Sequence, residues 1–244
     1  MTYKIRPEVK GSSELAVPVH GGFKVWPERS RHVFGVVAHT TGNCQAEADR
    51  AKTSRLEWVL GYYQDPDSYG PHYVIDLDGA IYQVSDEHEK AAHVGFGEAH
   101  RQLFLSGKWR SMLAPVTVNR WLERWSLPSP AHLFPGPSVN DVYIGVEMLP
   151  IEPDPVMGLR YTGAQHKSLA MLCADIAERW GFPMGWWNTG RLVGHEDVNP
   201  FDRSNKGGGW DPGALRKTPW FDWVWVKTEI AKREFEALVG RITG

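Results

Sequence analysis

Short apolar runs bounded by polar or turn-forming positions predict the β-strands of this chain. Val33–Ala38 and Tyr143–Met148 are continuous apolar runs rich in β-branched residues, which is typical of buried strands. His72–Asp76 and Ala80–Ser85 flank a Leu-Asp-Gly segment, and the Asp-Gly pair predicts a hairpin turn between them. Arg191–Gly194 is predicted to be a short strand that leads into a loop rich in Gly, Asn and Pro.

Apolar residues at helical spacing predict three main helices. The first is expected over Ala46–Tyr63. The clearest covers Thr162–Trp180, where Thr162 can cap the first turn, Gln165 completes a capping box and Gly181 ends the helix. The last is expected from about Trp220 to Val239.

The alternation of strands and helices predicts an α/β fold, with a mixed central β-sheet flanked by helices in a single domain over residues 1–244. Phe96–Asn140 departs from this rhythm, since it is rich in proline and tryptophan and has only a short helical piece around Val116–Trp125. Its 45 residues are few for an independent core, so we interpret it as an insertion. Three tryptophans are expected to pack it on the domain: Trp109, Trp121 and Trp125.

Composition narrows the function classes. Of 244 residues, 42% are hydrophobic and 23% are charged, which is ordinary for a globular protein with a substantial core. A net charge of −2 gives no sign of the basic face that a nucleic-acid partner requires. No run approaches the ~20 apolar residues of a membrane span. Most of the 12 tryptophans are expected in the core, although indoles also stack on sugars.

The N-terminus and the cysteines bear on the compartment. Met1–Lys10 is polar and mixed in charge, without the basic start and apolar stretch of a signal peptide. We therefore expect the protein to be cytoplasmic as synthesised, and monomeric. Cys44 and Cys173 make no disulfide framework, and free thiols are expected in a reducing compartment.

Three possible metal ligands stand where a strand ends or a loop begins. His39 follows the first apolar run, His195 follows Arg-Leu-Val-Gly, and Asp211 precedes Pro-Gly. Two histidines and a carboxylate are the ligand set of many catalytic zinc sites. Each residue also has an ordinary interpretation, because buried histidines with one hydrogen-bond partner are common and Asp-Pro-Gly is a plain turn. The ten histidines of the chain offer many rival sets.

Five motifs in order resemble the N-acetylmuramoyl-L-alanine amidase family, from about Val33 to Trp225 with the insertion between them. They are VVAHTTGN, the hairpin PHYVIDLDGAIYQV, AAHVG, YIGVEM, and GHEDVNP…DPG…FDW. The family includes phage endolysins, a bacterial recycling amidase for anhydromuramoyl peptides, and animal peptidoglycan-recognition proteins.

The resemblance implies one zinc ion on His39, His195 and Asp211, with Glu147 as the catalytic glutamate. The alternative for Glu147 is a carboxylate at a strand end that faces water, although a Glu inside an apolar strand is costly unless it is paired or functional. Other family members carry a tyrosine just before the histidine that matches His72. This chain has Pro71 there, so it is expected to rely on Glu147.

The remaining site residues are less closely defined by the resemblance. His93 matches a family histidine beside the cleft that either binds substrate or packs. His72 is a further substrate-binding candidate, and a structural role is its alternative. Close relatives carry a lysine two residues before the aspartate ligand, where this chain has glycine. Lys206 is then the candidate cation for the transition state, and Arg203 is its competitor.

The implied activity is zinc-dependent hydrolysis of the amide between N-acetylmuramic acid and L-alanine, with peptidoglycan or a muropeptide as partner. A phage or prophage lysis enzyme, released to the cell wall by a holin, is the first expectation. A cytosolic recycling amidase, an interbacterial toxin and a non-catalytic peptidoglycan-binding module stay open.

The insertion begins just after AAHVG and ends just before YIGVEM, both of which resemble segments that border the cleft. It is therefore expected to line one side of the substrate groove, and a surface elaboration far from the groove is the alternative. Four basic residues would give it a positive face: Arg101, Lys108, Arg110 and Arg120.

Overall fold

A computed structural model of the chain describes residues 4–5, 18–19, 23–41, 45–96, 98–113, 115–125, 132, 138–154, 158–200, 211–212 and 221–243. The strands are β1 Lys4–Ile5, β2 Pro18–Val19, β3 Gly35–Thr40, β4 Tyr73–Ile75, β5 Ile81–Gln83, β6 Tyr143–Met148, β7 Ile151–Asp154, β8 Gly158–Arg160 and β9 Leu192–Gly194. The α-helices are α1 Gln45–Ala51, α2 Arg55–Gln64, α3 Glu98–Leu105, α4 Trp109–Met112, α5 Pro115–Trp125, α6 Val139–Val142, α7 Gly163–Arg179, α8 His195–Val198 and α9 Trp223–Thr243.

Seven of the strands in the described part of the chain form one mixed sheet in the order β1-β2-β5-β4-β6-β3-β9. The strands β4, β6, β3 and β9 are parallel to one another. Strand β5 is antiparallel to β4 and forms a hairpin with it. Strands β7 and β8 make a separate two-stranded ribbon. The mixed sheet flanked by helices confirms the α/β fold that the sequence predicts.

The first face of the sheet packs against the long helices. Side chains that alternate along β3 and β6 point to this face, and α7 and α9 cover them with their own apolar residues. Members of this cluster include Val36, Ala38, Ile144, Val146, Leu169, Leu172, Ile176, Val226 and Ile230.

The second face of the sheet packs against the insertion. Val37, Tyr143 and Val193, which alternate with the residues of the first face, share an apolar cluster with α3, α4 and α5. Trp109 and Trp121 are fully buried in this cluster, and Trp125 packs against it. The insertion is therefore the third layer of the domain, and its tryptophans pack it on the body as the sequence predicts.

Several predicted elements are confirmed by the structure. The hairpin pairs Tyr73 with Gln83 and turns at Gly79, whose φ of +89° lies in the region that glycine favours. Strand β6 has the predicted bounds. Thr162 caps α7 and forms the predicted capping box with Gln165.

The prediction of one helix over 46–63 is wrong, because the chain breaks there into α1 and α2. Lys52 has a φ of +52°, which ends the helical run after Ala51. Ser54 then starts α2 with its own capping box, in which Glu57 bonds back to the Ser54 main chain. Apolar residues keep helical spacing on both sides of the break, so periodicity alone does not reveal it.

The insertion holds more helix than predicted, since α3 and α4 precede α5. Pro115 does not interrupt a helix but occupies the first position of α5, where a missing N–H costs nothing. The two ends of the insertion are joined by Asn140. Its Oδ1 accepts from the main-chain N–H of Val94 at 2.9 Å, and its Nδ2 donates to the Val94 carbonyl at 2.9 Å.

The C-terminal helix begins at Trp223, later than predicted, and residues 213–220 lie outside the described part of the chain. Within the described residues, no helix combines the length and apolarity that a membrane crossing requires. Cys173 is a buried free thiol, and burial raises its pKa well above the usual range. Cys44 lies outside the described residues.

Candidate metal centre

The candidate site lies at the carboxyl ends of three parallel strands. His39 is near the end of β3, Glu147 is opposite it on β6, and His195 follows β9 directly as the first residue of α8. Parallel strands bring their carboxyl ends to one edge of a sheet, which is where α/β proteins place their ligands. Residues far apart in sequence thus meet at this edge.

Three atoms of His39, His195 and Asp211 converge at this edge. The Nδ1 atoms of the two histidines are 3.0 Å apart, and Asp211 Oδ2 lies 2.9 Å from His195 Nδ1 and 3.7 Å from His39 Nδ1. All three residues are buried. Tetrahedral zinc with ligands at ~2.0–2.1 Å sets neighbouring ligand atoms ~3.3 Å apart. The three residues therefore fit one zinc-sized ion, and they form a group that could hold a metal.

His93 orients His39. The Nε2 of His93 lies 3.2 Å from the Tyr143 carbonyl, so this nitrogen carries the proton and donates it. The Nδ1 of His93 is then an acceptor, and its partner at 2.9 Å, His39 Nε2, must donate. These partners assign to His39 the tautomer whose free lone pair, on Nδ1, faces His195 and Asp211. Metal-binding histidines characteristically have such an outer hydrogen-bond partner.

Burial lowers the pKa of His93 well below its usual range, and the neighbouring His39, His72 and Arg29 add to the effect. His93 is therefore neutral, as the hydrogen-bond relay requires. Its ring also occupies space that Gly145 leaves open, because a Cβ on Gly145 would lie 2.4 Å from the His93 ring. Of the two roles considered for His93, these contacts support packing, with the added task of orienting His39.

The Asp211 carboxylate is held from both sides. Its Oδ1 accepts from the main-chain N–H of Thr40 at 2.6 Å, and its own carbonyl accepts from the N–H of Glu196 at 3.1 Å. Burial would raise the pKa of Asp211, but the adjacent imidazoles, chiefly that of His195 at 2.9 Å, outweigh burial and hold this pKa well below the usual range. Asp211 is therefore ionised, which is the form that binds a metal.

Gly194 leaves room for Asp211 beside His195. A Cβ on Gly194 would lie 2.8 Å from the Pro212 ring and 3.0 Å from the Asp211 carbonyl oxygen. The glycine before the histidine in the GHEDVNP motif is thus required for the close approach of the two ligand segments.

Glu147 lies beside the three candidate ligands and on the same sheet face as His39. Its side chain is 13% exposed, and its Oε1 is 3.9 Å from His39 Nδ1. The alternative of a carboxylate simply facing water does not describe this position. A carboxylate here can exchange a proton with a molecule that sits next to the metal position.

His72 lies behind the site and is fully buried. The main-chain N–H of Gly145 donates to its Nδ1 at 2.9 Å, and its Nε2 lies 2.6 Å from Arg29 Nη2 and 3.1 Å from the Glu89 carbonyl. Burial, reinforced by the adjacent Arg29 guanidinium, lowers the pKa of His72 to about 3. Both ring nitrogens contact main chain, so these contacts support the structural role rather than substrate binding.

Tyr161 also belongs to the site, although the sequence analysis does not identify it. It is buried, and its hydroxyl faces the Thr40 side chain. Burial raises its pKa well above the usual range, and the carboxylates of Asp211 and Glu147 act in the same direction. The hydroxyl therefore keeps its proton and can donate a hydrogen bond. In the sequence, Tyr161 only precedes a helix cap, and nothing local connects it to β3 or β6.

Two predicted residues cannot be placed. Lys206 and Arg203 lie outside the described residues, as does the rest of the segment between 201 and 210. The assignment of a transition-state cation to either of them stays a prediction.

Fold and site together define a class: an α/β protein with a candidate mononuclear metal centre next to a carboxylate, an arrangement that hydrolases use. The sequence profile of N-acetylmuramoyl-L-alanine amidases matches residues 29–214. The chain belongs to this family.

Comparison with solved structures agrees with this fold. The Staphylococcus aureus hydrolase AmiA in complex with its ligand superposes with a TM-score of 0.51 at 13% identity, over 89% of this chain and 83% of that one. A mutant endolysin from Bacillus subtilis gives 0.47 at 17% identity, over 87% and 94% of the two chains. No curated protein sequence matches the chain.

Proposed function

We propose that this protein is a zinc-dependent amidase that hydrolyses the bond between N-acetylmuramic acid and the first L-alanine of peptidoglycan. Family membership supports the amide and the substrate class. One observation supports both the zinc and the mechanism. The side chains of His39, His195 and Asp211 converge with the spacing of metal ligands, and Glu147 Oε1 lies 3.9 Å from His39 Nδ1.

Zinc in such a site supplies Lewis-acid polarisation of the amide carbonyl and a water that is nucleophilic at neutral pH. His39 and His195 would bind it as neutral imidazoles, and Asp211 as an anion. The relay from the Tyr143 carbonyl through His93 keeps the His39 Nδ1 lone pair directed at the ion.

Glu147 is the proposed general base and then general acid. It accepts a proton from the attacking water and returns it to the alanine nitrogen as the C–N bond breaks. The water oxygen remains on the lactyl carbonyl carbon of the muramic acid, and the stem peptide leaves with a free amine. The second proton of the water ionises from the new carboxyl group and is taken up by that amine. Proton and oxygen are then balanced without a serine or cysteine nucleophile.

The oxyanion formed during this attack needs a positive or hydrogen-bonding partner, and each such donor is typically worth about 3–4 kcal/mol. Lys206 is the proposed cation, with Arg203 as its competitor. The Tyr161 hydroxyl, buried next to Thr40, is an additional donor on the described side of the site.

Digestion of purified sacculi tests the proposal. Mass spectrometry should find stem peptides with a free N-terminal alanine and intact glycan chains. A preparation of Glu147→Gln, purified in the same way, controls for contaminating hydrolases. Muropeptides with cleaved glycan bonds would contradict the amidase assignment.

We further propose a role as a phage or prophage lysis enzyme that reaches the wall after release by a holin. The insertion makes the chain larger than a minimal recycling amidase needs to be, which favours a polymeric substrate. Rates on intact sacculi and on a soluble anhydromuramoyl tripeptide separate the two roles. Faster turnover of the tripeptide at equal concentrations of cleavable bonds would indicate the recycling enzyme.

A further inference from the structure

Asp197 lies two residues after the ligand His195, within the single helical turn α8, and is fully buried. Its Oδ2 accepts from the main-chain N–H of Gly194 at 2.8 Å. This hydrogen bond joins the residue before His195 to a residue after it, so the Asp197 carboxylate stabilises the turn that carries His195.

The other partners of Asp197 come from the insertion. The indole N–H of Trp125 donates to Asp197 Oδ1 at 3.0 Å, and Arg124 Nη2 forms an ion pair with Oδ2 at 3.2 Å. The indole N–H of Trp121 donates to the Asp197 main-chain carbonyl at 2.8 Å. One turn of α5 thus supplies three polar contacts to a single residue next to a candidate ligand.

These contacts are required by the charge of Asp197. A fully buried carboxylate is stable only when its charge is compensated and its oxygens accept hydrogen bonds. Within the described residues, Arg124 forms the ion pair with Asp197, and Lys227 of α9 adds a second positive charge nearby. The Arg124 guanidinium also lies over the rings of Trp125 and Trp223, 5.0 Å and 5.1 Å from their centroids, so its position is fixed between α5 and α9.

The other side of the α8 turn is tied to the start of the insertion. The side-chain amide of Asn199 donates to the Gly95 carbonyl at 3.3 Å, and the Asn199 N–H donates to the His195 carbonyl at 2.8 Å. Val198 lies in the same apolar cluster as Trp121. The insertion and the residue that precedes it therefore contact the turn that carries His195 at three successive residues after that histidine: Asp197, Val198 and Asn199.

We propose that the insertion positions the metal ligand His195, and that Asp197, Arg124 and Trp125 are its positioning residues. The inference rests on the proposed function, because it takes His195 as a metal ligand. Metal sites require their ligands within about 0.2 Å of the ideal distance. An insertion that only lined the substrate groove would need no polar contact with this turn.

Two matched variants test the proposal. Trp125→Phe keeps the aromatic ring and removes the N–H donated to Asp197. Trp109→Phe makes the same chemical change in the same insertion, but the indole nitrogen of Trp109 has no hydrogen-bond partner among the described residues. Zinc affinity of wild type and both variants is measured by competition with a chromophoric chelator, and thermal unfolding of the metal-free proteins is measured in parallel.

We expect Trp125→Phe to bind zinc at least about 10-fold more weakly than wild type, as is usual when an outer hydrogen-bond partner of a metal site is lost. Arg124→Met should change the affinity in the same direction. Trp109→Phe should keep the affinity of wild type even where it lowers the unfolding temperature, because it opens space in a fully buried cluster away from Asp197. A loss of zinc affinity that is confined to Trp125→Phe and Arg124→Met, and does not follow the unfolding temperature, is what a merely structural role could not produce.

The outcomes separate this inference from the proposed function. If wild type itself binds no zinc, the proposed function fails. If wild type binds zinc and Trp125→Phe binds it equally well, the positioning role is overturned while the metal site stands. Equal losses in Trp125→Phe and Trp109→Phe would also overturn it, because the effect would then follow general stability.

Discussion

His39 and Glu147 are direct neighbours on the parallel strands β3 and β6, with their Cα atoms in register and Nδ1 of His39 3.9 Å from Oε1 of Glu147. The proposed metal ligand and the proposed proton-transfer group therefore share one face of one sheet, and the spacing between them is set by strand pairing rather than by a loop. This rigidity makes the two roles separable by mutation.

Glu147→Gln should remove catalysis and leave the metal. The amide keeps the shape of the side chain but cannot accept the proton of the water, so turnover is expected to fall by about 10²–10⁴-fold. Zinc content by metal analysis and the unfolding temperature should stay near those of wild type. Near wild-type hydrolysis in this variant would exclude Glu147 from proton transfer.

His195→Ala should remove the metal. Purified wild type is expected to hold about one equivalent of zinc, and loss of one of three protein ligands should leave the variant largely metal-free. His88→Ala is the matched control, because the side chain of His88 is exposed and contacts Asp86 and the Trp180 ring at the surface. Full zinc occupancy in His195→Ala would show that the ligand set is different.

Substitutions at His93 should affect zinc affinity according to what they offer to His39. His93→Asn keeps an acceptor near the position of Nδ1, whereas His93→Leu leaves the N–H of His39 without a partner. A loss of about 10–100-fold is expected for the leucine variant, and a smaller one for asparagine. Chelator competition measures both, and equal affinities would mean that the relay does not control the tautomer of His39.

Gly145→Ala should reproduce the His93 defect without changing a polar group. A Cβ at this position would lie 2.4 Å from the His93 ring, so the ring must move away from His39. We expect weaker zinc binding together with a lower unfolding temperature. Gly61→Ala, where nothing lies near the added Cβ, is the control for a glycine replacement as such. If Gly145→Ala binds zinc like wild type, the ring has another position that serves equally well.

His72 should make the metal-free fold sensitive to acid. Its pKa is about 3 in the fold and ~6.5 in an unfolded chain, so above pH ~6.5 neither state binds the proton. As the pH falls from there towards 3, only the unfolded state binds it, and stability is lost. In His72→Asn the slope of unfolding free energy against pH should be smaller by up to ~1.4 kcal/mol per pH unit.

Urea unfolding from pH 7.5 to 4.5, in the presence of a chelator, measures that slope. His88→Asn, at an exposed position, is the control for the replacement of histidine by asparagine as such. An unchanged slope in His72→Asn would mean that His72 is protonated within the fold.

The strands of the site were predictable because their signals are local. Tyr143–Met148 and the run before His39 are apolar and β-branched, and the resemblance of the motifs around them to one family implies the candidate ligand set, whose three residues the structure brings together. The break at Lys52 was not predicted, because apolar spacing continues across it. The contact between Trp125 and Asp197 joins residues 72 positions apart, and neither residue has a local pattern that indicates its partner.

The second apolar face of the sheet limits how this domain can be shortened. Val37, Tyr143 and Val193 are covered by the insertion helices, and the same helices neutralise a charge next to His195. Excising residues 96–140 to obtain a minimal catalytic unit would expose that face to water and remove the ion pair and the indole hydrogen bonds of Asp197. Loop grafting between amidases should therefore exchange α5 and the His195 turn as one module, because the polar groups of each are bonded to the other instead of to water.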